Sequence, residues 1–193
     1  MTVFVAKVIV YIYCLIKVFV FKIISFNRPS LYKVKLVQPT FFGGKGRVEL
    51  NEVSIGIYES SNLLNGYGFI SARAENSIIK IGRGTIINNS PTIIADKSSI
   101  EIGESCLIGT GFYCADSDFH SLSINDRNGV AHVCKRIVIG NNVFIGNDVK
   151  VLKGVTIGDN SVIGAGSVVV KNVEANSIYA GNPARFIKHV PEQ

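Results

Sequence analysis

The sequence predicts an all-β domain in which short strands wind into a three-sided parallel β-helix. An aliphatic residue recurs every six positions, and the fifth position of each hexad is small or β-branched. From residue 139 the first positions are Ile139, Ile145, Val151, Ile157, Ile163 and Val169, and the fifth are Val143, Val149, Val155, Ser161, Ser167 and Val173. A period of six matches neither a helix nor the alternation of a single strand. It suits a coil with one hexad on each of three faces and the first residue of each hexad pointing inward.

The repeat continues upstream of residue 139 with changes of phase. The upstream first positions of the hexads are Ile81, Ile87 and Ile93, and then Ile102, Ile108 and Cys114. Before residue 78 the pattern weakens, and Ile55 is its clearest remaining position. Three hexads make a coil of 18 residues, so residues 139–174 fill two coils. Turns such as Gly158-Asp159-Asn160 contain residues that tolerate positive φ. A β-sandwich of short strands is the alternative, but it would not ordinarily keep six hexads in register.

Composition indicates one folded domain. The chain has 193 residues, of which 47% are hydrophobic and 18% charged, and this excludes a disordered chain. The cysteines Cys14, Cys106, Cys114 and Cys134 are far apart and form no C-x-x-C pair. That spacing argues against a zinc ribbon and against a small disulfide scaffold. We therefore expect reduced thiols and a cytoplasmic protein.

The net charge of +6 is distributed unevenly along the chain. Residues 1–48 hold eight basic residues and no acidic one, whereas the other 145 hold 12 basic and 14 acidic residues, a net of −2. A nucleic-acid-binding body would carry its basic residues along one face. We therefore expect no nucleic-acid partner and assign the basicity to an N-terminal arm.

We divide the chain into this arm, residues 1–35, and a β-helix domain, residues 36–193. Residues 2–26 are apolar except for Thr2, Lys7, Lys17, Lys22 and Ser25. In a helix the three lysines would fall within an arc of about 140°, opposite a wide apolar face. Two interpretations stay open: contact with an anionic membrane interface through residues 1–26, or docking on the rest of the protein. The longest lysine-free run is nine residues, too short to span a bilayer, and the arm lacks the pattern of a cleaved signal peptide.

Residues 139–188, which include "VTIGDNSVIGAGSVV" and the turn "GNPA" at 181–184, resemble the C-terminal half of the hexapeptide-repeat acetyltransferases. That family includes galactoside, maltose and polysaccharide O-acetyltransferases. The resemblance implies a left-handed parallel β-helix, an exception to the usual right-handed crossover. It also implies a homotrimer with active sites between subunits, and acetyl-CoA as co-substrate.

His120 is the candidate catalytic base. It follows Asp116-Ser117-Asp118-Phe119, where the hexad register breaks, and precedes an excursion over residues 121–138. A neutral imidazole, with an ordinary pKa of about 6.5, can accept the proton of an attacking hydroxyl. The run resembles the catalytic-histidine motif of polysaccharide acetyltransferases, which implies direct attack within a ternary complex and no acyl-enzyme.

The two aspartates of this motif have two interpretations. Asp116 or Asp118 could orient the imidazole of His120, or each could cap the loop. The other histidines, His132 and His189, are interpreted as loop and tail residues. Three histidines so far apart do not predict a zinc site, so no metal is expected.

The resemblance also implies positions for the two substrates. Those expected to line the pantetheine arm of acetyl-CoA are Phe144, Asn147, Ala165 and Gly166, and those expected to meet its phosphates are Lys171, Arg185 and Lys188. Phe144 stands where the family commonly has tryptophan, so it keeps an aromatic wall but lacks the indole N–H. Phe144 and Asn89 are the expected acceptor contacts.

The sequence thus predicts an O-acetyltransferase acting on a hydroxyl of a bacterial surface polysaccharide, such as capsule or O-antigen, or on its precursor. A small acceptor is the first alternative: a free sugar, a nucleotide amino sugar or an antibiotic. A non-catalytic β-helix scaffold is the second. If the arm meets lipid, we expect the enzyme at the inner face of the membrane. A short C-terminal tail is expected over residues 175–193.

Overall fold

A computed structural model describes residues 2–128 and 131–191 and contains the expected three-sided parallel β-helix. Helix α1 (Val3–Ile24) precedes six coils of three strands each within this part of the chain. The coils are β1–β3 (Ser30–Tyr32, Lys35–Leu36, Thr40–Gly43), β4–β6 (Arg47–Asn51, Ser54–Ile55, Gly68–Ala72), β7–β9 (Ile78–Ile81, Ile86–Ile87, Thr92–Ala95), β10–β12 (Ser99–Ile102, Leu107–Ile108, Tyr113–Ala115), β13–β15 (Ile137–Ile139, Phe144–Ile145, Lys150–Val151) and β16–β18 (Thr156–Ile157, Val162–Ile163, Val168–Val169). Two further strands, β19 (Ser177–Ala180) and β20 (Arg185–His189), follow them.

Each coil contributes one strand to each of three sheets. Face A begins with β1, face B with β2 and face C with β3, and neighbouring strands of the six coils are parallel within each face. The aliphatic first positions and the small fifth positions of the hexads are buried from residue 139 to residue 173. The predicted inward orientation of the first positions is therefore confirmed, and the fifth positions are buried as well.

The register explains the changes of phase in the sequence. Ile139 pairs with Ile157 and Ile145 with Ile163, each 18 residues further on. Between the third and fourth coils Ile81 pairs with Ile102, 21 residues further on. The three extra residues lie at the corner between β9 and β10 and do not change which side chains point inward, so the stack stays regular while the hexad pattern shifts its phase.

One corner of the prism is held by a ladder of asparagines. Asn142, Asn160 and Asn176 have φ values of 53°, 58° and 56°. Asn142 Nδ2 donates to Asn160 Oδ1, and Asn160 Nδ2 donates to Asn176 Oδ1, both at 2.9 Å. Asparagine tolerates the left-handed backbone better than most residues, and here its amide also links successive coils.

The element boundaries differ from the expected ones. The β-helix begins at Ser30, because β1 pairs with β4, so the arm proper ends before residue 30. The expected tail instead extends face B: β19 pairs with β17, and β20 folds back antiparallel on β19. The excursion lies between β12, which ends at Ala115, and β13, which begins at Ile137. Within these predicted segments, Met1, Gly129, Val130, Glu192 and Gln193 lie outside the described residues.

Candidate functional site

His120 lies exposed at the root of the excursion, where two chain segments are tied together. Ser117 forms an antiparallel bridge with Cys134. The backbone N–H of Asp118 donates to the Val133 carbonyl at 3.2 Å, and that of Lys135 donates to the Asp116 carbonyl at 2.8 Å. The fold thus carries His120 on a braced turn rather than on a free loop.

The residue before His120 is fixed by two contacts. Phe119 has a φ of 60°, and its N–H donates to Ser117 Oγ at 2.9 Å. The Arg73 guanidinium lies 4.7 Å from the centre of the Phe119 ring, a cation–π distance. These contacts set the direction in which the chain enters His120.

Asp116 caps backbone groups and does not orient the imidazole. Its side chain is fully buried and accepts the N–H groups of Asp96 at 2.7 Å and Ser98 at 2.8 Å. Burial raises the pKa of this carboxyl, although the backbone hydrogen bonds oppose the rise. Of the two interpretations of Asp116, this geometry favours capping, because both carboxylate oxygens accept N–H groups of the neighbouring coil.

Asp118 also has a partner other than His120. Lys153 Nζ lies 2.6 Å from Asp118 Oδ1, and both side chains are mostly buried. Among the described residues Asp118 Oδ2 has no hydrogen-bond partner. The ion pair ties the root of the excursion to the coil that follows it, so within these residues Asp118 positions the loop and does not contact the imidazole.

Asp96, His132 and Cys134 form a polar cluster at the same root, which the sequence did not reveal. His132 Nε2 lies 2.5 Å from Asp96 Oδ2, and Cys134 Sγ lies 3.7 Å from the same oxygen. The Arg73 guanidinium lies 3.6 Å from Asp96 Oδ1. Burial acts to raise the pKa of Asp96, but His132 and Arg73 outweigh it and hold the pKa below its ordinary value. No motif indicated the cluster, because the excursion brings together residues 36 positions apart.

Among the described residues, these three side chains also form a group that could bind a metal cation. One ligand atom from each of Asp96, His132 and Cys134 lies within 4.8 Å of the others, a set of donors that zinc accepts. However, the nitrogen and the sulfur both lie close to one carboxylate oxygen and hydrogen-bond to it. Burial raises the pKa of the Cys134 thiol, and a protonated thiol is a poor metal ligand and a poor nucleophile.

Asn89 holds the fold and is not available to an acceptor. It is fully buried, and its Oδ1 accepts the N–H of Ile57 at 3.1 Å. Its Nδ2 donates to the carbonyls of Ile57, Ser60 and Ser61 at 3.2, 3.3 and 2.8 Å. The amide thus satisfies the backbone of an irregular segment, and in this arrangement of the chain it is not exposed to an acceptor.

Three of the four residues expected to line pantetheine lie along one corner between faces B and C. Asn147 and Ala165 are exposed there, and the Gly166 N–H donates to the Asn147 carbonyl at 2.8 Å. Gly166 has a φ of 70°, and a Cβ built on it would meet no atom within 4 Å. This corner is therefore open enough for an extended chain to approach the backbone.

The three cations expected to meet the phosphates of acetyl-CoA are exposed near the C-terminal end of the prism. The turn at 181–184 packs on β18: the Val168 N–H donates to the Gly181 carbonyl at 3.0 Å, and the Ala184 N–H donates to the Val168 carbonyl at 2.8 Å. Arg185 and Lys188 follow on β20, and Lys171 follows β18 directly. All three cations thus lie at the C-terminal end of the prism, Lys171 after the last coil strand and the other two on β20.

Phe144 lies in a column of apolar side chains on the outside of face B. It pairs with Leu107 on one side and Val162 on the other, and Leu107 pairs in turn with Ile86. Phe144 and Leu107 are each 51% exposed and Ile86 is 37% exposed. An apolar column of this kind suits contact with another surface.

Comparison with known proteins gives a family match over the regular coils. Residues 136–171 match the model described as bacterial transferase hexapeptide (six repeats). The chain is 39% identical over 117 residues to galactoside O-acetyltransferase of Escherichia coli (strain K12), covering 61% of this chain and 57% of that protein. The chain thus spans little more than half the length of this relative.

Solved structures extend the likeness beyond the repeats. The polySia-specific acetyltransferase NeuO is 28% identical, with a TM-score of 0.62 over 81% of this chain and 80% of its own. Galactoside acetyltransferase in complex with coenzyme A is 26% identical, with a TM-score of 0.52 over 94% of this chain and 82% of its own. The coils of this chain therefore form a left-handed parallel β-helix of the hexapeptide-repeat type.

Proposed function

From the match of its regular coils to the hexapeptide model and its likeness to O-acetyltransferases, we propose that the chain is an acetyl-CoA-dependent O-acetyltransferase with His120 as its general base. The acceptor is a hydroxyl of a bacterial surface polysaccharide, of the capsule or O-antigen type, or of its precursor. The observation that carries the proposal is the braced, solvent-accessible His120 at the root of the excursion. The likeness to a polySia-specific acetyltransferase over most of both chains supports the acceptor class.

The chemistry follows from the side chains. The neutral imidazole of His120 removes the hydroxyl proton as the acceptor oxygen attacks the thioester carbonyl of acetyl-CoA. A C–O bond forms, the C–S bond breaks, and the coenzyme A thiolate leaves and takes up the proton. The pKa values of the Cys114 and Cys134 thiols are both raised by burial, and a protonated thiol is a poor nucleophile, which favours direct transfer over an acyl-enzyme on either residue.

Acetyl-CoA is proposed to lie along the open corner of Asn147, Ala165 and Gly166, with its phosphates toward Lys171, Arg185 and Lys188. Cations attract phosphate oxygens, and all three side chains are exposed. The galactoside acetyltransferase solved with coenzyme A supports this choice of co-substrate.

We also propose self-association and a cytoplasmic location. The apolar column of Ile86, Leu107 and Phe144 would be covered by a second copy of the chain, in keeping with a homotrimer. The four cysteines are free thiols, which suits a reducing compartment.

A small acceptor is the second candidate. One relative, described as a probable macrolide acetyltransferase of Lysinibacillus sphaericus, is 61% identical over 51 residues. That match covers only 26% of this chain, so it favours shared co-substrate chemistry more than a shared acceptor.

The test is acetyl-CoA-dependent thiol release with three acceptors: a de-O-acetylated polysaccharide, a free sugar and a macrolide. His120→Ala should lower the rate by about 10²–10⁴-fold, the usual contribution of a general base. His189→Ala, which removes another exposed histidine, should leave the rate unchanged. An unchanged rate in folded His120→Ala would overturn the catalytic assignment, and transfer to the macrolide alone would overturn the acceptor class.

A further inference from the structure

Helix α1 is attached to the body of the protein by its polar groups. Lys17 Nζ and Tyr13 Oη both donate to the Leu64 carbonyl, at 2.8 and 3.1 Å. Lys7 Nζ lies 2.9 Å from Glu59 Oε1. The basic arc expected to face lipid is thus partly used to dock the helix, because two of its three lysines reach toward the segment 59–64.

The same side of the helix contributes its buried residue. Cys14 is 1% exposed and packs with Val37 and Leu63 in a small cluster of its own. Val10 and Tyr58 pack against that cluster. Apolar packing and hydrogen bonds therefore both hold the same side of the helix against the body of the protein.

The opposite side of the helix is apolar along its whole length and lies in solvent. Seven apolar side chains of this surface are between 46% and 75% exposed: Phe4, Ile9, Ile12, Leu15, Ile16, Phe19 and Ile23. Phe26, just after the helix, is 82% exposed. A 22-residue helix is about 33 Å long, so this apolar strip far exceeds the scattered apolar residues of an ordinary soluble surface.

Cations border the C-terminal end of this strip. Lys22 and Arg28 line one cavity together with Phe19 and Ile23. Arg28 and Lys45 also border a second depression beside Phe26, which includes one acidic residue, Glu75.

These cations are available to an external partner. In the part of the chain that the structure describes, Lys22, Arg28 and Lys45 have no carboxylate within 4.0 Å. The Arg28 guanidinium donates to the Ser25 carbonyl at 2.7 Å, which leaves its charge uncompensated. An apolar strip with free cations at its edge is complementary to acyl chains beneath anionic headgroups.

We propose that α1 lies flat in the interface of an anionic lipid bilayer, with its apolar strip among the acyl chains and Lys22, Arg28 and Lys45 at the headgroups. The helix is long and apolar enough to cross a membrane. Crossing would require Lys17, in the middle of the helix, to leave the Leu64 carbonyl and enter hydrocarbon, where a lysine is strongly unfavourable. The proposal concerns a surface distinct from His120 and does not depend on acetyl transfer.

Cosedimentation of the full chain with vesicles tests this surface. The vesicles are phosphatidylcholine alone, or phosphatidylcholine with about one third phosphatidylglycerol. The wild type should bind the anionic vesicles at least ten-fold more tightly than the neutral ones, and raised salt should weaken this binding. Carbonate washing should release it, since a peripheral helix does not span. Equal binding to both vesicle types, no binding, or retention after the wash would overturn the proposal.

Matched variants distinguish a specific role of the apolar strip and its cations from the general effect of adding or removing charge. Ile12→Glu with Ile16→Glu should lower vesicle binding at least ten-fold, whereas Ile124→Glu, at an 86% exposed position in the excursion, should not. Lys22→Gln with Arg28→Gln should remove the preference for anionic lipid, whereas Lys80→Gln with Arg83→Gln should keep it. Circular dichroism checks that each variant is folded.

If Ile12→Glu with Ile16→Glu instead lowers the mass of the lipid-free assembly, the strip is an interface between copies and the proposal fails. Thiol release with a soluble acceptor should persist in these variants, so loss of membrane binding and loss of acetyl transfer are distinguishable.

Discussion

His132 Nε2 lies 2.5 Å from Asp96 Oδ2, and this contact connects the end of the excursion to the coil beneath it. Both side chains are nearly buried, at 11% and 12% exposure. Asp96 is itself held by the next coil, because the carboxylate of Asp116 accepts its backbone N–H. The turn that carries His120 therefore rests on a chain of contacts from Asp116 through Asp96 to His132.

Removal of the imidazole should loosen the excursion. His132→Ala deletes a hydrogen bond to a charged group, a loss of about 1.5–3 kcal/mol. We expect faster proteolytic cleavage within residues 121–128 and a lower kcat, because the turn before His120 loses its brace. Limited proteolysis and thiol-release kinetics measure the two effects, with His189→Ala as the control. Unchanged cleavage would show that Ser117 and Cys134 close the loop without this pair.

The Asp96 carboxylate should give a pH-dependent contribution to stability. Its folded-state pKa is lowered, so its contribution is fully present above the unfolded pKa of about 3.9. The contribution is lost as pH falls through the lower folded pKa. The loss in melting temperature caused by Asp96→Asn should therefore be full at pH 6–7 and shrink as the pH falls below about 4. A loss that stays constant down to pH 2.5 would contradict the assignment, and melting curves across this range decide it.

Asn89 should prove to be a stabilising residue. Asn89→Ala leaves the N–H of Ile57 and three carbonyls of residues 57–61 without their partner, at a cost of about 1–3 kcal/mol for each buried group left unsatisfied. We expect the melting temperature to fall by several degrees and the KM for the acceptor in the folded fraction to stay nearly unchanged. Asn65→Ala, the same change at an exposed asparagine, gives the control. A large rise in acceptor KM without loss of stability would restore the acceptor-binding role.

Arg185 and Lys188 should contribute to binding acetyl-CoA rather than to the chemical step. Arg185→Ala and Lys188→Ala should each raise the KM for acetyl-CoA several-fold and leave kcat unchanged, because a phosphate contact acts equally in the ground and transition states. Added salt should reduce the difference from the wild type. Arg83→Ala removes one exposed cation far from the last coil in sequence and should not alter either constant. A fall in kcat for Arg185→Ala at saturating acetyl-CoA would refute this division.

The β-helix could be predicted from the sequence because its six-residue period is visible within any short stretch of the regular coils. Each hexad repeats the same choice of inward and outward residues, so Ile139 and Ile157 need only be 18 residues apart to stack. The same regularity indicated where the prism is interrupted, and so drew attention to His120. The interruption itself has no period, and its internal contacts could not be predicted.

The sequence by itself determined the solenoid, its apolar interior and the segregation of basic residues into the arm. Only the tertiary structure decided the roles of individual polar residues. Asp116 and Asn89 looked like site residues, yet each satisfies buried backbone groups, while His132 gained its partner Asp96 from 36 positions away. The reason is physical. Burial of apolar residues follows their spacing along the chain. A polar side chain instead hydrogen-bonds to whichever buried polar group the folded chain brings within about 3 Å.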